Sequence, residues 1–395
     1  MRKTVVITSN AYFPNIGGVE NSLKYLAQSY RNLGYKVIVI VSELSPNEEK
    51  LPFEEKQNGI TIYRYATYSN SKGIKKILRG YFSAKSAYNL LKSINNSNDI
   101  SLTISRFHTA TLLAKLAKLP NVTYVVPGVV KNQNSDANLV TRSGLGRLKL
   151  NLSKFIHHAI QKYAFKMCDS IFVFSKNMKS QVEDVLGKPI KTPIVKPGVD
   201  TSIFRPKSDK ANLKFQYKIP SNKTILLTVG RFVKAKGFDL VVNAMSNLPD
   251  CHLIMVGDGE GLDDITKQIE NAGLSASITL TGSKQDTAPY YQIADVFLMS
   301  SVYEPLGQTI LEAMASGLPI VAFKGQAITT ATEELLSENE AIYTSNISGE
   351  GIAEAVKKLL SDPLLMAQLT QRVREKSQND FSWDTLASKL IDYKR

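Results

Sequence analysis

Two cysteines in 395 residues, Cys168 and Cys251, leave no disulfide framework and no metal or redox spacing to read. Both flank apolar segments and read as core thiols. No apolar run approaches the roughly 20 residues a membrane-spanning helix needs. The charged start Met1-Arg2-Lys3 is followed by too short an apolar run for a secretory signal, and reads instead as the lead into a buried strand. A G-x-G-x-x-G turn is missing, which disfavours a nicotinamide or flavin role. So is the Walker pattern G-x-x-x-x-G-K-[ST], and with it a P-loop nucleotidase. No D-x-D element follows an apolar strand, so no metal cofactor is expected. Short repeats and low-complexity tails are also absent. The compartment expected from these features is the cytoplasm.

What is present is a long, apolar-rich chain with uneven charge. Hydrophobic residues make up 43% of it, and its length suits two cores rather than one. The net charge is +14, yet residues 1–198 carry 29 basic and 11 acidic residues, a balance of +18, while residues 199–395 hold 20 and 24. A basic first half suits an anionic partner: a membrane surface, a glycolipid or a nucleic acid. Two basic series could lie on anionic lipid. One is Lys72 to Phe82; the other runs through Arg142, Arg147, Lys149, Lys154, Lys162 and Lys166. Solvated helix faces are the plainer reading of either. Aromatic–basic interleaving and reader motifs for nucleic acid are lacking.

Strands and helices alternate through both halves. Val5–Ile7, Lys36–Val41, Gly59–Tyr65 as an edge, Ile100–Ile104, Val122–Val126 and Ser170–Phe174 read as strands of the first half. Helices are expected between them, including Lys75–Ile94. Prolines and Gly198 break the pattern, and it restarts at Lys223. The expected class is α/β, an open parallel sheet with helices on both faces in each half. The expected divisions are 1–198, 199–380 and a closing helix over 381–395.

Chemistry gathers at the ends of the strands, where open sheets bind ligands. The stretch Ser300 to Ala322 reads as strand end, loop, helix, turn, strand. Its loop is Glu304-Pro305-Leu306-Gly307, and the amides of Gly307, Gln308 and Thr309 open a helix, a ready anion site. Glu304 and Glu312 flank it, and carboxylates accept well from sugar hydroxyls. Two solvated glutamates on a capped helix are the plainer reading. Gly230-Arg231 to Lys236-Gly237 closes another strand and offers a fork and a point charge for phosphate. Gly257-Asp258-Gly259 reads as a structural turn. The segment from Thr281 through Gly282 to Gln285 could meet a nucleobase through its backbone. Gly17-Gly18 lets backbone approach a ligand in the first half. Of four histidines, His157 and His158 read as surface residues and His252 as structural. His108 is a candidate acid or base, or a helix cap.

Together these residues resemble the retaining glycosyltransferases of family 4. The marks are Glu304 and Glu312 as an E-x7-E element, the Gly230–Gly237 loop, Gly17-Gly18, Val195 to Asp200, and Phe381-Ser382-Trp383. The resemblance implies a GT-B fold: two facing Rossmann-like domains with a cleft between, the last helix crossing back to the first. The second domain would bind a nucleotide diphosphate-sugar (UDP- or GDP-sugar), the first the acceptor. Arg231 and Lys236 would hold the diphosphate, Glu312 the ribose and Glu304 the sugar. The amides from Gly307 to Thr309 would complete the pocket with Leu306 and Gly282. Gly17 and Gly18 would approach from the first domain. His108 matches the family's acceptor-side histidine only loosely. Attack on the same face, with the leaving phosphate taking the acceptor proton, and double displacement through Glu304 both fit retention. The acceptor would be a cell-envelope saccharide or lipid-linked sugar at the inner face of the membrane. A soluble small-molecule acceptor is the alternative, and a non-enzymatic anion or nucleic-acid binder a more distant one.

Overall fold

The computed structural model of the chain describes residues 3–15, 17–45, 49–68, 78–132, 144–191, 193–207, 209–304, 307–325 and 328–393. Over 144–150 and at 329 it describes backbone alone. The chain forms two compact units, one of Met1–Val195 with Trp383–Arg395, the other of Lys196–Ser382.

In the first unit, β1 (Thr4–Thr8), β2 (Lys36–Ser42), β3 (Glu54–Gln57), β4 (Ile60–Tyr65), β5 (Ile100–Ser105), β6 (Val122–Val125) and β7 (Ser170–Phe172) form one sheet. Its order is β3-β4-β2-β1-β5-β6-β7. All neighbours are parallel except β3 with β4. Ile60–Tyr65, expected at the edge, is therefore an inner strand, and Glu54–Gln57 is the edge. That strand reads Glu-Glu-Lys-Gln and carries no apolar alternation to betray it. Its charges suit an edge, where they discourage pairing with another chain. The helix expected over Lys75–Ile94 runs over Arg79–Ser97, and residues 69–77 lie outside the described residues. Most of the Lys72–Phe82 series lies there too, and Arg142 with it. The closing helix Trp383–Asp392 belongs to this unit. Trp383 stacks on Tyr25, with ring centroids 5.8 Å apart, and Tyr30 Oη donates to the Ala387 carbonyl at 2.9 Å.

In the second unit, β8 (Thr224–Val229), β9 (Cys251–Val256), β10 (Ile278–Leu280), β11 (Val296–Met299), β13 (Ile320–Ala322) and β15 (Ile342–Tyr343) form a parallel sheet. A separate pair joins β12 (Tyr303–Glu304) to β14 (Thr329–Thr330). Continuous apolar runs make these strands, and alternation divides their side chains between two cores. Ile225, Leu227, Phe297 and Met299 point into one; Leu226, Val296 and Leu298 point into the other. The main order is β10-β9-β8-β11-β13-β15. The chain winds outward one way up to β10, then returns beside β8 and winds the other way. Ligands of open α/β sheets bind at such a reversal, outside the carboxyl ends of the strands. Here those are the ends of β8 and β11.

Candidate active site

The loop after β8 and the loop after β11 are tied to each other. Ser300 Oγ donates to the Lys236 carbonyl at 2.7 Å, and the Val302 amide to the Ala235 carbonyl at 2.9 Å. Between them Gly237 takes a left-handed conformation at φ 60°, where an added Cβ would overlap the Ser300 carbonyl. These ties deliver Lys236 to Glu304. Lys236 Nζ donates to Glu304 Oε2, and the two side chains are 18% and 14% exposed. The other carboxylate oxygen accepts from the Gly307 amide at 3.2 Å. Glu304 is thus held at both oxygens, on a strand whose carbonyl accepts from the Ala331 amide at 2.8 Å.

The helix Gln308–Ala315 begins at Gly307, which is left-handed at φ 79°, and no side chain caps it. An uncapped helix start presents free amides and positive potential to an anion. Three buried polar atoms nearby lack a partner among the described residues: Tyr303 Oη, Gln308 Oε1 and Thr309 Oγ1. Buried polar atoms are normally satisfied, so three orphans together suit a ligand site. Arg231 is exposed, and its guanidinium engages no other described residue. Leu306 and Pro305 lie outside the described residues.

Three neighbouring strand ends, of β8, β9 and β10, are tied to one another. The Gly257 amide donates to the Gly282 carbonyl at 3.1 Å, and the Phe232 amide to the Asp258 carbonyl at 2.9 Å. Gly257 sits at φ 143°, and a Cβ there would overlap the Gly230 carbonyl. The turn is therefore structural at its glycine and fixes the loop that carries Arg231.

Glu312 lies one turn into the helix and is only 5% exposed. Its Oε2 accepts from Tyr291 Oη at 2.8 Å, and the same hydroxyl lies 3.3 Å from the Thr309 carbonyl. Burial pushes its carboxyl up to about 7, against a smaller downward pull from the Tyr291 hydrogen bond. The folded protein therefore keeps a proton that the unfolded chain, near 4.5, has released. Stability is highest below that value, falls as pH rises toward 7, and levels off above it. We expect Glu312→Gln to remove this slope. Its urea midpoint at pH 8 should exceed that of the parent protein, by on the order of 2 kcal/mol in stability, and the gap should close near pH 4.5. A parent protein equally stable at the two pH values would contradict this. Tyr291 is a site residue that sequence alone did not mark.

Of the remaining expected residues, Gly17, Gly18 and His108 belong to the first unit. Gly17 caps the helix Gly18–Asn32, its carbonyl accepting from the Asn21 amide at 2.9 Å. His108 opens the helix His108–Leu116 and is buried. Its Nε2 shares a hydrogen bond of 2.8 Å with Nδ1 of His157. His157 is therefore the partner of a buried imidazole and not the free surface group expected. Burial first, then His157, push His108 down to about 4. It is neutral at pH 7 and a weak base.

Residues 16–203 match the family model described as Glycosyltransferase Family 4, and residues 209–378 the one described as Glycosyl transferases group 1. Lipopolysaccharide core biosynthesis glycosyltransferase LpsE of Rhizobium meliloti (strain 1021) is 32% identical over 173 residues, 44% of this chain and 50% of that protein. The chain thus spans half the length of that relative. Among solved structures, sucrose-phosphate synthase (tll1590) from Thermosynechococcus elongatus superposes with a TM-score of 0.78 at 20% identity, over 98% of this chain and 97% of the other. Anabaena Alr3699/HepE in complex with UDP-glucose gives 0.73 at 16% identity, over 98% of each chain. At these identities the two structures speak to the fold.

Proposed function

This chain belongs to the family 4 glycosyltransferases of GT-B fold, and on that premise we propose that it moves a hexose from a uridine or guanosine diphosphate sugar to a cell-envelope saccharide or lipid-linked acceptor, with retention at the anomeric carbon. The observation that carries the proposal is Lys236 held against Glu304 beside an uncapped helix start. A cation, free amides and a carboxylate at one place match a donor with a diphosphate at one end and hydroxyls at the other.

In this mechanism Arg231, Lys236 and the amides of Gln308 and Thr309 hold the diphosphate and stabilise the charge it gains on leaving. Glu304 accepts from hydroxyls of the sugar and fixes its anomeric carbon. Glu312 receives the ribose hydroxyls. The bond from that carbon to the phosphate oxygen breaks, and a bond to the acceptor oxygen forms on the same face. The acceptor proton passes to the departing phosphate. No protein nucleophile is required, and neutral, weakly basic His108 is not given the proton. No metal takes part in these steps.

An anionic envelope acceptor is supported by the basic first half and by the name of the rhizobial relative. Among the described residues no helix is long and apolar enough to cross a membrane. The helix Gly144–Met167, however, exposes Leu152, Phe155, Ile156 and Tyr163 on one face, with Lys162 and Lys166 beside them. Such a face suits peripheral contact with an anionic bilayer at the cytoplasmic side.

A panel of UDP-, GDP- and ADP-sugars tests the proposal by thermal shift and by slow hydrolysis. One nucleotide class should raise Tm and be hydrolysed, with the rate unchanged in EDTA. Hydrolysis that stops in EDTA would remove the metal-free mechanism. Absence of any shift or turnover across the panel would remove the donor assignment.

A further inference from the structure

A cavity lies wholly within the first unit. It sits below the carboxyl ends of β1, β2 and β4, between the helices Arg79–Ser97 and His108–Leu116, holds about 230 Å³ and is partly open to solvent. Ligand sites are concave and mostly apolar, and this partly open space is both. Its wall is mostly apolar in area, and Ile40, Ala84, Ala87, Leu91, Ala110 and Leu113 are its aliphatic part. Three alanines among these six keep the facing helices from filling the gap.

Several of the polar groups on the wall are already engaged, Thr67 Oγ1 among them, which donates to Glu43 Oε1 at 3.4 Å. Thr8 Oγ1 donates to the Ile40 carbonyl at 3.0 Å, and Ser83 Oγ to the Thr67 carbonyl. A sugar ring would find few free partners here, whereas a mostly apolar wall suits an apolar guest. No carboxylate among the described residues lines the space. The helix Arg79–Ser97 carries Arg79, Lys85 and Lys92 and no acidic residue. Arg79 is exposed and adjoins Gly80, which forms part of the wall. The surroundings thus suit a negative headgroup outside and a hydrocarbon chain within.

We propose that this cavity receives the hydrocarbon chain of an anionic lipid, the anchor of the acceptor. The assignment rests on the acceptor being lipid-linked, and names the part of it that the first unit holds. Decyl phosphate below its micelle concentration, compared with butyl phosphate, is the probe, with binding followed by calorimetry on the full chain. The protein should bind decyl phosphate at least tenfold more tightly than butyl phosphate. Ala84→Leu and Ala110→Leu, each filling the cavity, should cut that preference to threefold or less. Ala84 is only half-buried and tolerates the larger side chain more readily. Thermal melts confirm folding, and donor hydrolysis by folded variants should match the parent. Equal affinity for the two phosphates, or an undiminished preference in a folded variant, overturns the assignment. If the chain-length preference and its loss are seen but no nucleotide-sugar is ever turned over, the transferase proposal falls, and the cavity keeps the lipid chain but loses its role as holder of the acceptor.

Discussion

Lys236→Ala should lower kcat for donor turnover by about 10²–10³-fold, the usual cost of removing one group that meets charge developing in the transition state. The KM for the donor should change much less, because the interaction strengthens only as the diphosphate departs. Lys236 also bonds Glu304, so its removal leaves a largely shielded carboxylate without its cation. A second comparison separates the two effects. Glu304→Gln keeps the shape and removes the charge, and the double variant should lose less than the two single losses combined, since each partner acts partly through the other. Single-turnover hydrolysis reads all four proteins. A Lys236→Ala protein within threefold of the parent would dismiss Lys236 from the chemistry.

Gly257→Ala should cost about 3–5 kcal/mol of stability in the second unit, a fall of roughly 10 °C in Tm for a domain of this size. Two faults coincide there: φ of 143° and a Cβ that would overlap the Gly230 carbonyl. Relief requires the Gly230–Phe232 loop to shift, and Arg231 with it, so donor affinity should fall in whatever fraction remains folded. Gly273→Ala is the control. That glycine is also left-handed, at φ 69°, but a Cβ would meet nothing within 4 Å. Its cost should be only about 1–2 kcal/mol, with donor affinity intact. Similar melting curves for the two variants would show that the close approach at Gly257 is relieved without strain.

The sequence made the parallel strands legible because burial on both faces leaves unbroken runs such as Cys251–Val256. It hid Glu54–Gln57, since a charged edge strand packs too little to leave a pattern. Two-residue strands such as β12 and β14 were hidden as well, being too short for any period. At the site, the glycines and charges after β8 and β11 were legible together, because strand ends in a parallel sheet arrive at one side. Tyr291 against Glu312 and His157 against His108 were not. Each pair joins side chains from separate helices, and the contact depends on how those helices pack, which no local spacing encodes. Burial of Glu312 was hidden for the same reason: its position in an E-x7-E element says nothing about what covers it.

Trp383–Asp392 completes the packing of Gly18–Asn32, and this sets an order in time. During synthesis, Trp383 emerges 188 residues after Val195, which at about 5–20 residues per second is a delay of about 10–40 s. Through that interval the Trp383 ring that stacks on Tyr25 and the Ala387 carbonyl that accepts from Tyr30 are not yet in place. Lys196–Ser382, by contrast, is contiguous, and its last residue is made before Trp383. On the ribosome, the half made second is the first able to finish.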